Sequence, residues 1–120
     1  MWLKIDTELR EPAIAIIRVA GRIVLGRASQ ELEWKIVEIL KGSPRVVVVD
    51  LGDVTHIDST GVGILVMCSG KAKSAGAELR LAGARGAVEQ VLRLTRVNDI
   101  IPMFAAADDA ARENSSAQTA

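Results

Sequence analysis

The chain of 120 residues contains a single cysteine, Cys68, which excludes an internal disulfide. A protein without disulfides fits a reducing compartment, and we expect it to be cytoplasmic. Long apolar runs are also missing, because charges or glycines interrupt every stretch before it reaches the ~20 residues of a membrane-spanning helix. Residues 1–6 have no basic region followed by an apolar core, so we expect neither a signal peptide nor a membrane partner.

An excess of charge of one sign is absent as well. Fifteen basic and fifteen acidic residues give a formal net charge of zero. A nucleic-acid-binding protein needs a clustered basic surface, so we do not expect nucleic acid as a partner. One histidine, His56, and one cysteine do not supply a ligand set with metal-binding spacing, so we expect no metal or other cofactor. With 49% hydrophobic and 25% charged residues, the composition is that of an ordinary globular domain.

Apolar residues recur along the chain with two different periods. Alternation over residues 3–9 predicts a strand with one wet face, and a turn at 10–12 leads into a second strand, so the two form an antiparallel hairpin. A spacing of three and four residues predicts an amphipathic helix that begins near Ala28 and ends before Gly42. The other predicted elements are strands at 13–20, 46–50, 79–82 and 99–103, a possible short strand at 23–25, and helices from 60, at 88–95 and at 105–112.

This order of elements predicts one α/β domain. Strands that alternate with helices after a hairpin favour a single mixed sheet packed by about four helices. We assign residues 1–112 to the domain and expect residues 113–120, which are small and polar, to form a flexible tail. Trp2 and Trp34 are candidate partner contacts. Trp34 lies outside the apolar stripe of its helix, which favours exposure of its side chain.

The most specific signal lies between the central strand and the helix that follows it. Residues 56–65 read HIDSTGVGIL, and we expect residues 52–59 to form a loop at the carboxyl end of the strand, where ligands and partners gather in such sheets. The first turn of a helix has unpaired N–H groups and the positive end of the helix dipole, which favour an anion. Ser59 therefore lies where a phosphate would be accepted. Its alternative role, and that of Asp58, is to cap the helix.

In these residues the chain resembles the STAS domains of bacterial anti-sigma factor antagonists. The similarity lies in residues 46–65, continues through GAELRLA at 76–82, and ends with VEQVLRLT at 88–95. The similarity extends over residues 5–104, which is most of the chain. The resemblance implies a STAS fold and a protein-interaction module that is not an enzyme.

The resemblance also implies a partner-switching function. Such a protein binds an anti-sigma factor that is also a serine kinase, and so frees the sigma factor. The kinase would inactivate it by phosphorylating the first hydroxyl residue after Asp58, which is Ser59, and a serine phosphatase would reverse the step. Thr60 is the competing acceptor. Gly61 and Gly63 imply a close approach of the partner, and we expect a monomer or a weak dimer.

The sequence departs from this family in two places. Many members carry an acidic residue just after the glycine that ends the second strand, whereas Gly21 is followed here by Arg22. The third helix usually ends Thr-Gly-Leu, whereas this chain reads Thr95-Arg96-Val97. The family uses the first of these regions near its kinase, so we expect Arg22 to contact the partner and to shift partner preference.

Three alternatives remain at this point. An enzyme would need a base for its serine nucleophile, but the only histidine, His56, precedes Ser59 by three residues, and no third orienting group is apparent. The chain also lacks the Gly-x-Ser-x-Gly and Walker patterns. A second alternative is a STAS module of another signalling or scaffold complex. The third is a small-anion or nucleotide-binding module that uses the Ser59 helix end and the turn at 83–86.

Overall fold

A computed structural model describes residues 3–112 of the chain. The expected tail at 113–120, and Trp2, lie outside the described residues. The elements, numbered in chain order, are β1 (Leu3–Arg10), β2 (Ile14–Ile23), α1 (Arg27–Leu40), β3 (Val46–Ile57), α2 (Ser59–Ser74), β4 (Glu78–Ala82), α3 (Gly86–Leu94), a 3-10 turn (Val97–Asp99), β5 (Met103–Phe104) and α4 (Ala107–Arg112).

The five strands form one mixed sheet in the order β1-β2-β3-β4-β5. β1 and β2 form the predicted antiparallel hairpin, and the strands from β2 to β5 are parallel to one another. The consecutive residues Val46, Val47, Val48 and Val49 are all buried, as expected for a central strand that is covered on both faces. The predicted α/β domain with an N-terminal hairpin and about four helices is confirmed.

The two faces of the sheet are covered unequally. Helices α1, α2 and α3 pack on one face over an aliphatic core that includes Leu32, Leu65 and Leu92. The short helix α4 covers part of the other face with small side chains. Beneath α4, the buried guanidinium of Arg80 donates a hydrogen bond of 2.6 Å to the carbonyl oxygen of Ala110. The three-helix face holds the larger core. Both α1 and α2 begin beyond the carboxyl ends of parallel strands, at the same end of the sheet.

Strands β2 and β3 extend beyond the predicted limits. β2 continues through Ile23, so the possible separate strand at 23–25 is absent, and β3 continues to Ile57 where a loop was expected from residue 52. The two extensions pair with each other, so each supplies backbone hydrogen-bonding partners to the other. A register shift between Arg18 and Ala20 interrupts the regular ladder. This irregularity breaks the alternation on which the prediction relied.

The region after α3 also differs from the prediction. The strand expected at 99–103 is replaced by a 3-10 turn and a two-residue β5, and α4 begins at Ala107 rather than at 105. The amides of Ile100 and Ile101 both donate to the carbonyl oxygen of Val97 at 2.8 Å. Because these amides bond locally, they are not available to extend β5.

Candidate functional site

The carboxyl ends of β2 and β3 continue together past the end of β4. β4 stops at Ala82, which pairs with Asp50, whereas residues 20–23 of β2 continue to pair with residues 53–57 of β3. We call these paired ends the β2–β3 ribbon. One strand of the ribbon leads into the connection to α1, and the other leads directly into α2. The ribbon therefore positions the residues at the start of α2.

The ribbon has one buried face and one exposed face. Ile23 and Ile57 are neighbours in the register and are both buried on the side of the helices. Arg22 and His56, also neighbours in the register, are both exposed. Since side chains alternate along a strand, they lie on the opposite side from the isoleucines. Arg22 therefore belongs to β2, although the sequence predicts that this strand ends at residue 20, and its side chain is accessible from outside.

Asp58 joins the ribbon to both helices. One carboxylate oxygen accepts a hydrogen bond of 2.9 Å from the amide of Gly61, and the other accepts one of 2.9 Å from the amide of Leu25. These two hydrogen bonds, that from Gly61 first, lower the pKa of Asp58 below its ordinary value. The carboxylate thus caps α2 and holds the β2–α1 connection beside it. The N-cap residue of α2 is Asp58 and not Ser59.

Ser59 is the first residue of α2, and its side chain is exposed. Thr60, one position further into the helix, is half-buried. The amide of Gly61 is bonded to Asp58, and the first turn of α2 contains no acidic residue after this cap, so the positive end of the helix dipole can still favour a further negative charge. Of the two hydroxyl residues, Ser59 is the more accessible to another protein.

The two glycines of the motif have different surroundings. Gly61 is buried, and a Cβ atom there would collide with the carbonyl oxygen of Ile23 and would lie 2.8 Å from Cγ1 of Ile57. Gly63 is exposed, and a Cβ atom there would meet nothing within 4 Å. Gly61 thus serves the packing of α2 on the ribbon. Of the pair, only Gly63 lies on a surface that a partner can reach.

The imidazole of His56 does not pair with Ser59 in the described structure. Nδ1 of His56 lies 2.9 Å from the hydroxyl oxygen of Thr55. His56 is on the exposed face of the ribbon, whereas α2 packs on the face that carries Ile57. The arrangement therefore does not assemble a serine–histidine nucleophile of the kind that the enzyme alternative requires.

A cleft of about 640 Å³ lies beyond the carboxyl ends of β4 and β5. It is lined by Asp50, Gly52, Asp53, Gly83, Ala84, Arg85, Glu89, Arg93 and residues 103–107. Ser59 is not among these residues, so the helix end and the turn that the small-anion alternative combines do not share this cavity. The guanidinium of Arg85 donates a hydrogen bond of 3.0 Å to the carbonyl oxygen of Gly52, and the acidic side chains of the lining outnumber the arginines.

Residues 3–112 contain one cysteine and no arrangement typical of a metal site or a membrane-spanning helix. No group of three histidine, cysteine, aspartate or glutamate side chains there is arranged to hold a metal ion. No helix in that part of the chain is long and apolar enough to cross a membrane. Cys68 is buried in α2, and desolvation by burial is the main cause that raises the pKa of its thiol to about 11. The thiol therefore stays protonated at neutral pH.

Known structures share this fold over most of their length. An anti-sigma factor antagonist from Mycobacterium paratuberculosis is 23% identical, with a TM-score of 0.78 over 92% of this chain and 95% of that one. The phosphorylated form of the Bacillus cell fate determinant SpoIIAA is 17% identical, with a TM-score of 0.69 over 89% and 96%. A sulfate transporter family protein from Wolinella succinogenes is 17% identical, with a TM-score of 0.71 over 87% and 86%.

These three similarities establish the fold alone, because each sequence identity is below 25%. The family is established by the sequence itself, because residues 4–110 match the STAS domain family model. That match covers the sheet except its first residue, Leu3, together with the ribbon and helices α1 to α3. The chain belongs to the STAS domain family.

Proposed function

We propose that this protein is an anti-sigma factor antagonist that binds an anti-sigma factor, itself a serine kinase, through the surface around Ser59. The observation that carries the proposal is the exposed hydroxyl of Ser59 at the first position of α2. It directly follows Asp58, whose carboxylate is fixed by two backbone amides. The similarity in fold to proteins described as anti-sigma factor antagonists supports the same function. In this proposal the protein acts in the cytoplasm as a monomer or weak dimer and has no catalytic activity of its own.

Phosphorylation of Ser59 would act as the off switch. A phosphoserine carries a charge of about −1.5 to −2 and would lie at a helix N-terminus, where the helix dipole favours a negative charge. The fold should therefore lose little stability. A partner that covers Ser59 must instead desolvate the phosphate, at roughly 2–5 kcal/mol, which is about a 30-fold to several-thousand-fold loss of affinity. A serine phosphatase would restore binding.

Phosphate mapping tests the acceptor. After incubation with the cognate kinase and ATP, we expect the label on Ser59 and not on Thr60. The Ser59→Ala protein should take up no phosphate and stay bound to the kinase, whereas Thr60→Ala, the matched control, should still be labelled. A label on Thr60, Ser29 or Ser74 in the wild-type protein would contradict the assignment.

The mode of switching needs two measurements on the same phosphorylated sample. We expect its thermal unfolding midpoint to stay near that of the unmodified protein while its affinity for the kinase falls. Ser59→Asp, which carries a smaller charge, should show part of the loss in affinity. If the midpoint instead drops by many degrees while the folded fraction still binds tightly, the switch is conformational rather than steric and electrostatic.

We further propose that the partner surface extends from Asp58, Ser59, Thr60 and Gly63 to Arg22. Like charges that face each other across an interface can cost several kcal/mol, so a cation at Arg22 would disfavour a partner with a basic surface there. Arg22→Asp should therefore raise affinity for a kinase whose usual antagonist has an acidic residue at this position. An unchanged dissociation constant would show that Arg22 lies outside the interface.

A second candidate is a STAS module of another signalling, scaffold or transporter-linked complex. The likeness to the sulfate transporter family protein favours it, because its TM-score of 0.71 is close to those of the antagonists. Affinity capture with the wild-type protein separates the two. Recovery of an ATP-binding kinase whose binding is lost on Ser59 phosphorylation supports the first candidate, and recovery of a partner that is indifferent to Ser59 supports the second.

A further inference from the structure

Large apolar side chains are exposed at six positions within the described residues. These are Leu9, Leu25, Trp34, Met67, Leu94 and Ile100. Trp34 is the largest of them, and its side chain is 63% exposed. It is one of only three aromatic residues of the Trp, Tyr and Phe types in the sequence, which has two tryptophans and one phenylalanine. Tryptophan is enriched among the residues that dominate binding energy at protein interfaces. Trp34 is therefore a candidate interface residue.

Trp34 lies on the same side of the molecule as two others of these six. α1 and α2 pack on the same face of the sheet, and the ammonium of Lys71 in α2 binds the carboxylate of Glu33 in α1 at 3.2 Å. Trp34 lies two residues after the buried Leu32, on the opposite side of α1, and so points away from the sheet. Met67 lies two residues after the buried Leu65 and points away from the sheet in the same way on α2. We call the surface formed by Leu25, Trp34 and Met67 the α1–α2 outer face.

This face is continuous with the Ser59 surface. The amide of Leu25 donates to the carboxylate of Asp58 at 2.9 Å, so the β2–α1 connection adjoins the start of α2. Met67 follows Ser59 by eight residues, or about 12 Å along the helix. A standard interface buries about 800 Å² on each partner, which corresponds to a disc of about 16 Å radius. A protein that is centred on Ser59 therefore reaches the α1–α2 outer face.

Most of the charges beside Trp34 are paired within the chain. Glu33 binds Lys71, and Lys35 binds Glu38 at 3.2 Å. These pairs leave one carboxylate, that of Glu31 one turn before Trp34, for a partner to complement there. The chemistry of the face thus fits an apolar surface of a partner better than a charged one.

We propose that Trp34 is the apolar anchor through which the anti-sigma kinase of the proposed function holds this protein, with the indole in an apolar pocket of the kinase. The inference rests on the proposed function and extends it to α1. Trp34 is remote from the phosphorylated atom, so its contact contributes equally before and during phosphoryl transfer. Loss of such uniform binding raises KM and leaves kcat unchanged.

The test compares Trp34→Ala with Leu94→Ala in the full-length protein. Leu94 is 75% exposed at the end of α3, away from the α1–α2 outer face, and so serves as the matched control. We expect Trp34→Ala to bind the kinase about 30-fold or more weakly and to raise KM for Ser59 phosphorylation at constant kcat. Leu94→Ala should change neither. Thermal unfolding midpoints of both variants should match the wild type, because both side chains are exposed.

The other outcomes are distinct. If the wild type is bound and phosphorylated on Ser59 but Trp34→Ala retains its affinity within twofold, the anchor is wrong and the proposed function stands. If sedimentation shows a wild-type dimer that Trp34→Ala converts to a monomer with unchanged kinase affinity, a second copy of the chain occupies the face and the proposal is overturned. If no kinase binds or labels the wild type, the proposed function fails and the anchor falls with it.

Discussion

The first half of β3, residues 46–51, and its second half, residues 52–57, have different neighbours. The first half pairs with β2 on one side and β4 on the other, and five of its six side chains are buried. The second half pairs with β2 alone and combines buried side chains at Val54 and Ile57 with exposed ones at Thr55 and His56. One continuous strand thus runs from the centre of the core to the edge of the candidate site.

This difference separates what holds the fold from what presents the site. Burial on both faces fixes the first half through the hydrophobic effect, and almost any substitution there changes packing. The second half needs only one buried face, so its other side is free to carry polar residues. Its end delivers Asp58 to the start of α2, where two amide hydrogen bonds fix the carboxylate. The candidate site is therefore built where β3 loses its second neighbour.

The largest loss of stability should come from shortening a side chain in the buried first half of β3. Leu51 is completely buried, and Leu51→Ala should lower the free energy of unfolding by about 2–5 kcal/mol through lost burial and a cavity. Thr55 is exposed in the second half, and Thr55→Ala should stay within about 0.5 kcal/mol of wild type. Urea unfolding of both variants measures the contrast. Similar losses at the two positions would show that the ribbon is as tightly packed as the core.

A smaller change in stability should distinguish the part of α2 that packs on the ribbon from the part that is open to solvent. Gly61→Ala forces a methyl group against the backbone of Ile23 and should destabilise the protein by about 1–3 kcal/mol. Gly63→Ala meets no atom and should stabilise α2 by about 0.5–1 kcal/mol, because alanine favours the helix over glycine. Chemical denaturation of the two variants gives both values. Equal effects would mean that α2 does not rest on the ribbon as closely as the structure indicates.

The sequence predicts the first half of β3 well and the second half poorly, for a physical reason. Four consecutive valines at Val46–Val49 indicate a buried strand in any context. The second half contains Gly52, Thr55 and His56, which by themselves resemble a loop. Its strand conformation depends on pairing with the end of β2, beyond the register shift at Arg18. Such a non-local pairing leaves no periodic trace in either segment.

The same limitation applies within the candidate site. The motif located Ser59 and Asp58 at a strand–helix junction, and the structure places both there. Which of them caps the helix depends on where β3 ends, and both residue types are good caps. Likewise, Gly61 and Gly63 are equivalent in sequence. They differ only because the ribbon lies under one of them, and the ribbon was not foreseen.

A loss somewhat smaller than that at Gly61 is expected at Asp58, which directly follows the second half of β3. Asp58→Ala removes the cap of α2 and the acceptor for the amide of Leu25, so it should cost about 0.5–2 kcal/mol at neutral pH. Hydrogen exchange at that amide should accelerate as well. Asp58→Asn keeps a side-chain oxygen as acceptor and should lose less than the alanine variant.

The pH dependence of this loss identifies the contribution of the negative charge. Hydrogen bonding lowers the pKa of Asp58 in the folded protein, so its stabilisation is fully present above the unfolded-state pKa of about 3.9 and is lost as pH falls through the lower folded-state value. The gap between wild type and Asp58→Ala should therefore be constant from pH 7 to about 5 and narrow below about 4. The gap between Asp58→Asn and Asp58→Ala should not change with pH, because neither residue titrates. A wild-type advantage that persists undiminished to the acid limit would mean that the oxygen atoms of Asp58, and not its charge, join the ribbon to α2.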